Sequence, residues 1–186
     1  MKTYSKYMRR ESGFTLIELI ASLVIFGLMF TLAGMGIVMA ARGYMITKEN
    51  AHMAQKAQLA MARINRELME ITAIAARVDT QPNPFIIYDH IGSRNAIAKD
   101  GSVIKMFFNL GAAVALSDLS VGDILIDDVT QFILTYYKSD STLWVFGIDD
   151  IKELSSVGVE IVMGRADSGV GDKTFRTTVR PRNTRN

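Results

Sequence analysis

Gly13-Phe14-Thr15-Leu16-Ile17-Glu18-Leu19-Ile20 is the stretch on which the reading of this chain turns. Downstream of it, Leu19 to Ala41 runs for 23 residues without a charged side chain. A helix of that length spans roughly 35 Å at ~1.5 Å per residue, enough to cross a hydrocarbon core of roughly 30 Å. Upstream, residues 1–13 carry Lys2, Lys6, Arg9 and Arg10 against the single acid Glu11. That asymmetry keeps the N-terminus in the cytoplasm and sends the rest of the chain across. An ordinary signal peptide would have an apolar region of only ~7–15 residues, although Val38-Met39-Ala40 fits a small-residue cut. A plain signal anchor would need no motif at all. Glu18 argues for more. It breaks an otherwise apolar stretch from Phe14 to Ala41, and a charge at mid-membrane costs ~2.5–3.5 kcal/mol, less near an interface. Glu18 therefore needs the interface or an opposite charge beside it.

The basic leader, the Gly-Phe-Thr-Leu-Ile-Glu junction and the apolar helix together resemble the type III signal of type IV prepilins and secretion pseudopilins. The resemblance implies that prepilin peptidase, a membrane aspartyl protease, cuts between Gly13 and Phe14 and methylates the new amine of Phe14. Gly13 suits a protease cleft that admits only an unhindered extended backbone. The resemblance further implies that Glu18 serves assembly, its carboxylate facing the N-terminal amine of a neighbouring subunit. Such a pairing would be favoured by the helix dipole and would relieve the cost of a lone charge in lipid.

Composition narrows the other classes. Of 186 residues, 49% are hydrophobic and 22% charged, which excludes a disordered chain. There is no cysteine, so no disulfide, thiol chemistry or cysteine metal site is available. The formal charge is +2; taking four basic residues and one acid with the leader from 21 and 19 leaves 17 and 18, a net −1. Nucleic acid is not an expected partner on bulk charge.

Beyond Ala41 the apolar pattern turns helical and one-sided. Ala54, Ala57, Met61, Ile64, Leu68, Ile71, Ala75 and Val78 fall at alternating spacings of three and four, which predicts one helix from about Phe14 to Val78, closed by Pro82 and Pro84. Arg63/Glu67 and Arg66/Glu70 are i,i+4 pairs on its polar side. Gly27, Gly34, Gly36 and Gly43 mark either close-packing points between helices or places where the helix loosens. From Phe85 the period becomes two. Candidate strands are Phe85–Tyr88, Val103–Asn109, Asp123–Ile126, Thr130–Lys138, Thr142–Gly147, Val157–Met163 and Thr174–Arg180, with turns at Asp100-Gly101, Ser139-Asp140-Ser141 and Gly169-Val170-Gly171-Asp172. The expected fold is α+β and pilin-like: a long N-terminal helix, transmembrane in its first half and amphipathic in its second, packed on an antiparallel sheet. The expected divisions are a leader at 1–13, the transmembrane and assembly half-helix at 14–41, the amphipathic half-helix at 42–81 and a β-rich domain at 82–186.

Asp128-Val129-Thr130-Gln131-Phe132 and the closing Phe175 to Asn183 segment look like strands of PilW/PulJ-type minor pilins. Major pilins commonly carry a mid-helix proline and a C-terminal disulfide loop; this chain has Met35 among glycines and no cysteine. The resemblance thus implies a minor subunit, at the tip or priming assembly of a type IV pilus. A minor pseudopilin of a type II secretion system fits the same residues, and a signal-anchored extracytoplasmic binding protein is the reading from another class. The implied partners are prepilin peptidase, other pilin or pseudopilin subunits, an inner-membrane assembly platform and membrane lipid. The implied location is the inner membrane, single-pass, with the C-terminal domain periplasmic or extracellular and then in a filament. No enzyme activity, cofactor or metal is expected. Asp127, Asp128, Asp140, Asp149, Asp150, Asp167 and Asp172 lack calcium-loop spacing and read as solvated loop acids. Arg165, Arg176, Arg180, Arg182 and Arg185 read as a charged guard on an edge strand. Trp144 with Tyr136, Tyr137 and Phe146 reads as sheet packing, and His52 and His90 belong to no nucleophile–base–acid set.

Overall fold

A computed structural model describes residues 13–111, 122–164 and 171–182. The chain divides into two compact units, Met1–Thr47 and Lys48–Asn186. The first unit, over its described residues, is the opening of α1, the helix Leu16–Met69. Every described residue from 13 to 48 is exposed. The helix is long and apolar enough to cross a membrane, and its most apolar window is buried by nothing in the protein. It runs unbroken through Gly27, Gly34, Gly36 and Gly43, so the loosening is not seen, and each of these glycines has open space around it. Three hydroxyls in this segment bond to their own helix: Ser22 to the Leu19 carbonyl at 2.9 Å, Thr31 to Gly27 at 2.8 Å and Thr47 to Gly43 at 2.9 Å. Internal satisfaction of that kind is what a helix in hydrocarbon requires.

The second unit is α+β. The remaining part of α1 buries Met53, Ala57, Ala60, Met61, Ile64 and Leu68 on one face. Among the described residues eight strands follow: β1 Ile71–Val78, β2 Phe85–His90, β3 Ser93–Asp100, β4 Val103–Leu110, β5 Asp123–Ile126, β6 Val129–Lys138, β7 Leu154–Met163 and β8 Lys173–Val179. They form two antiparallel sheets rather than one, β1-β2-β3-β4-β5 and β6-β7-β8. The helix face, one face of the larger sheet and the inward residues of the smaller sheet share a core that includes Ile64, Tyr88, Ile97, Phe132 and Ile161. Side chains alternate on β2, so Ile86 and Tyr88 enter this core while Phe85 and Ile87 join a second cluster with Ala96, Ala98 and Phe107 on the other face.

Three expectations need correction. First, the helix ends at Met69, not Val78; the segment 71–78 is strand β1, so the amphipathic half-helix does not reach residue 81. Two register shifts in the β1–β2 pairing, between Ile71 and Ala73 and between Ile74 and Ala76, give this strand its helix-like spacing. An extra residue in a strand lets side chains three apart face the same way. Ile71 and Ile74 both reach the main core, imitating a helical stripe. Second, the strand β3 was not expected. Ala96, Ile97 and Ala98 are all buried, because β3 is the middle strand of five and both of its faces are covered, which erases alternation. Third, Thr142–Gly147 is a loop and not a strand, with an isolated bridge between Tyr137 and Leu143 as its ladder pairing with the sheet. The expected turn at Asp100-Gly101 is present, with Gly101 at φ +59° in the two-residue link between β3 and β4.

Glu67, Tyr88 and Lys99 are buried polar groups matched to partners. Glu67, on the inner face of α1, accepts from the Tyr88 hydroxyl at 3.4 Å and meets the Arg63 guanidinium at 3.4 Å. Burial, and then the Glu67 charge, pushes the Tyr88 phenol far above its ordinary range. Lys99 is buried and reaches the Pro82 carbonyl at 3.0 Å. After β8, the Arg182 amide donates to the Met69 carbonyl at 2.8 Å, tying the end of the sheet to the end of α1.

Candidate processing and assembly site

The junction singled out in the sequence lies where α1 begins. Gly13, Phe14 and Thr15 precede the helix, and the helix starts at Leu16. Gly13 has nothing within 4 Å of where a Cβ would stand, and Phe14 is 88% exposed. The peptide between them is thus unobstructed. Glu18 is in the first helical turn, where its charge meets the positive end of the helix dipole.

Glu18 is not alone. Its Oε2 accepts from the Thr15 amide at 2.9 Å and from the Thr15 hydroxyl at 2.8 Å, while the Glu18 amide donates back to Thr15 Oγ1 at 3.3 Å. Thr15 is the N-cap residue of a capping box and Glu18 is its third helical position. Two of the amide groups that a helix start leaves without partners are satisfied this way. Sequence reasoning passed over Thr15, although Thr-Leu-Ile-Glu carries the T-x-x-E signature of such a box. Chemically, the arrangement holds one carboxylate at the mouth of an apolar helix, three residues from the N-cap and four from Phe14.

This junction also decides the comparison with known proteins. Residues 8–34 match the prokaryotic N-terminal methylation motif. The prepilin-type N-terminal motif is present in this chain. It spans the leader end, the cut expected after Gly13, Phe14, Glu18 and the first turns of the apolar helix. No curated protein matches the chain.

The other residues considered from sequence are dispersed. Asp127 and Asp128 both meet Lys56, at 2.6 and 3.4 Å. The Lys56 hydrogen bond holds the Asp127 carboxyl below its ordinary range. Asp140 accepts from the Thr142 amide and hydroxyl, Asp149 pairs with Lys138, and Asp150 caps the 3-10 turn at Ile151–Glu153. The Asp172 carboxylate lies where a Cβ on Gly164 would be, and Asp167 lies outside the described residues. Among the described residues no three of His, Asp and Glu gather as a metal cage. Arg176 pairs with Glu160 at 2.7 Å, and Arg165 and Arg185 lie outside the described residues. His90 meets Glu70, the residue just past the end of α1, at 2.8 Å. Trp144 is buried against Tyr136, with ring centroids 6.0 Å apart.

Proposed function

We propose that this chain is a minor subunit of a type IV pilus, placed at the tip or priming assembly. Prepilin peptidase cuts the precursor between Gly13 and Phe14 and methylates the Phe14 amine. The mature subunit waits in the inner membrane with residues 82–186 outside, then enters a filament through its apolar helix and through Glu18. The observation that carries this reading is the methylation motif over residues 8–34, set at the start of an apolar helix exposed along its whole first unit. An apolar helical segment that buries nothing of its own needs lipid or other helices around it. A capped carboxylate at its mouth is held ready for an ammonium from a neighbour. The likeness to PilW/PulJ-type subunits and the absence of cysteine favour a minor position.

The test is the intact mass and N-terminal sequence of the protein extracted from its native membrane. A chain that starts at N-methyl-Phe14 is expected. A chain still starting at Met1 in cells with active prepilin peptidase overturns the filament reading and leaves a signal-anchored protein. A cut near Ala40 makes it an exported protein. Glu18→Ala should keep membrane insertion and abolish assembly. Loss of secretion with pili intact, when the chain is deleted, would move the assignment to a type II secretion pseudopilus.

A further inference from the structure

The loop between β6 and β7 combines rigidity with exposed apolar side chains. Leu143 is 61% and Ile148 81% exposed, and Val145 and Phe146 between them are also exposed. Floppy loops expose apolar groups in passing; this one is fastened at every turn. Asp140 accepts from the Thr142 amide and hydroxyl at 2.9 and 2.7 Å. The Trp144 amide donates to the Tyr136 carbonyl, and its indole N–H to the Asp150 carbonyl, both at 2.9 Å. The Asp149 carboxylate accepts from the Val145 amide at 2.7 Å and pairs with Lys138 at 2.7 Å. Beneath, the Arg77 guanidinium lies 4.3 Å from the Tyr136 ring centre and 5.6 Å from that of Trp144. The entropy of ordering the loop is thus spent before any partner arrives, the condition under which exposed apolar groups bind tightly.

The surrounding charge selects the partner. Residues 138–153 hold Asp140, Asp149, Asp150 and Glu153 against Lys138 and Lys152, and Lys138 is already shared by Asp149 and Glu153. The rim is net acidic. Loops that enter membranes present aromatic side chains outward among lysines and arginines. Here the indole is turned inward, 3% exposed, and the rim would be repelled by anionic headgroups.

We propose that residues 143–148 are a preformed apolar plug that seats in an apolar recess framed by lysine or arginine on another protein chain. The inference does not rest on the filament reading, because it uses only the loop and its rim. The test places a photoreactive diazirine residue at position 148 of the full chain in its native cells, illuminates, and maps the adduct by mass spectrometry. The expected adduct is a protein segment with apolar residues flanked by Lys or Arg. Asp140→Asn keeps the oxygen that Thr142 binds but removes a rim charge, so it should lower adduct yield about two- to fivefold with an unchanged melting temperature. A phospholipid adduct, an adduct on an acid-flanked segment, or no adduct on any protein overturns the proposal. So does an Asp140→Asn yield equal to that of the parent chain.

Discussion

At the scale of single residues, the consequential contact is the one between Thr15 and Glu18. A carboxylate at the start of an apolar helix is costly unless hydrogen-bonded, and Thr15 supplies two bonds. Thr15→Val keeps the volume and removes the hydroxyl. It should weaken the first turn by about 0.5–2 kcal/mol, read as faster hydrogen exchange of the Glu18 amide in the detergent-solubilised chain. An unchanged exchange rate would show that the cap contributes nothing. One residue earlier, Gly13→Val adds a branched side chain to a peptide now unobstructed. It should leave the precursor at full mass in the membrane, checked by mass spectrometry. The Phe14–Glu18 motif was legible because its residues are contiguous and their chemistry is conspicuous. The role of Thr15 was harder to see because a threonine among apolar residues looks ordinary until the helix start is known.

At the scale of elements, α1 changes environment without changing secondary structure. Its first unit exposes apolar side chains throughout, while Ile64 and Leu68 are fully buried in the second. Ile64→Ala should cost about 2–5 kcal/mol and lower the melting temperature, because the core on three sides cannot collapse into the gap. Leu59, on the same helix but 74% exposed, should tolerate alanine within about 0.5 kcal/mol. Thermal melts of both variants check the pair; equal losses would refute the assigned helix face. The helix, the late strands and the α+β class were legible because α1 has a clean apolar face and β5 to β8 alternate or run apolar between turns. The strands β1 and β3 were not. In β1 the bulges spaced its isoleucines like a helix, and in β3 burial on both faces removed the period. The division into two sheets was equally hidden, since periodicity tells which face of a strand is apolar and not which strand lies beside it.

For the molecule as a whole, charge pairing sets the response to acid. Asp127, Asp149 and Glu160 are each held below their ordinary range, chiefly by hydrogen bonds from Lys56, Lys138 and Arg176 respectively. The fold therefore favours their charged forms. The stabilisation is complete above their unfolded values of about 4 and is lost as the pH falls through the lower folded values. Asp79 works in the opposite sense, its carboxyl pushed up by burial, and is outnumbered. The melting temperature of the detergent-solubilised chain should be level from about pH 5 to 7 and fall below about pH 4. Asp149→Asn should lower it at neutral pH and make the acid fall shallower. A melting temperature unchanged at about pH 3 would contradict the assignment.

Trp144 is the only tryptophan in the chain, and it stands buried at the base of the apolar plug with its N–H on the Asp150 carbonyl. All indole fluorescence of the protein therefore originates at one address. Its emission maximum and quenching by small solutes read the β6–β7 loop with no attached label. A protein that seats on the plug should alter the signal.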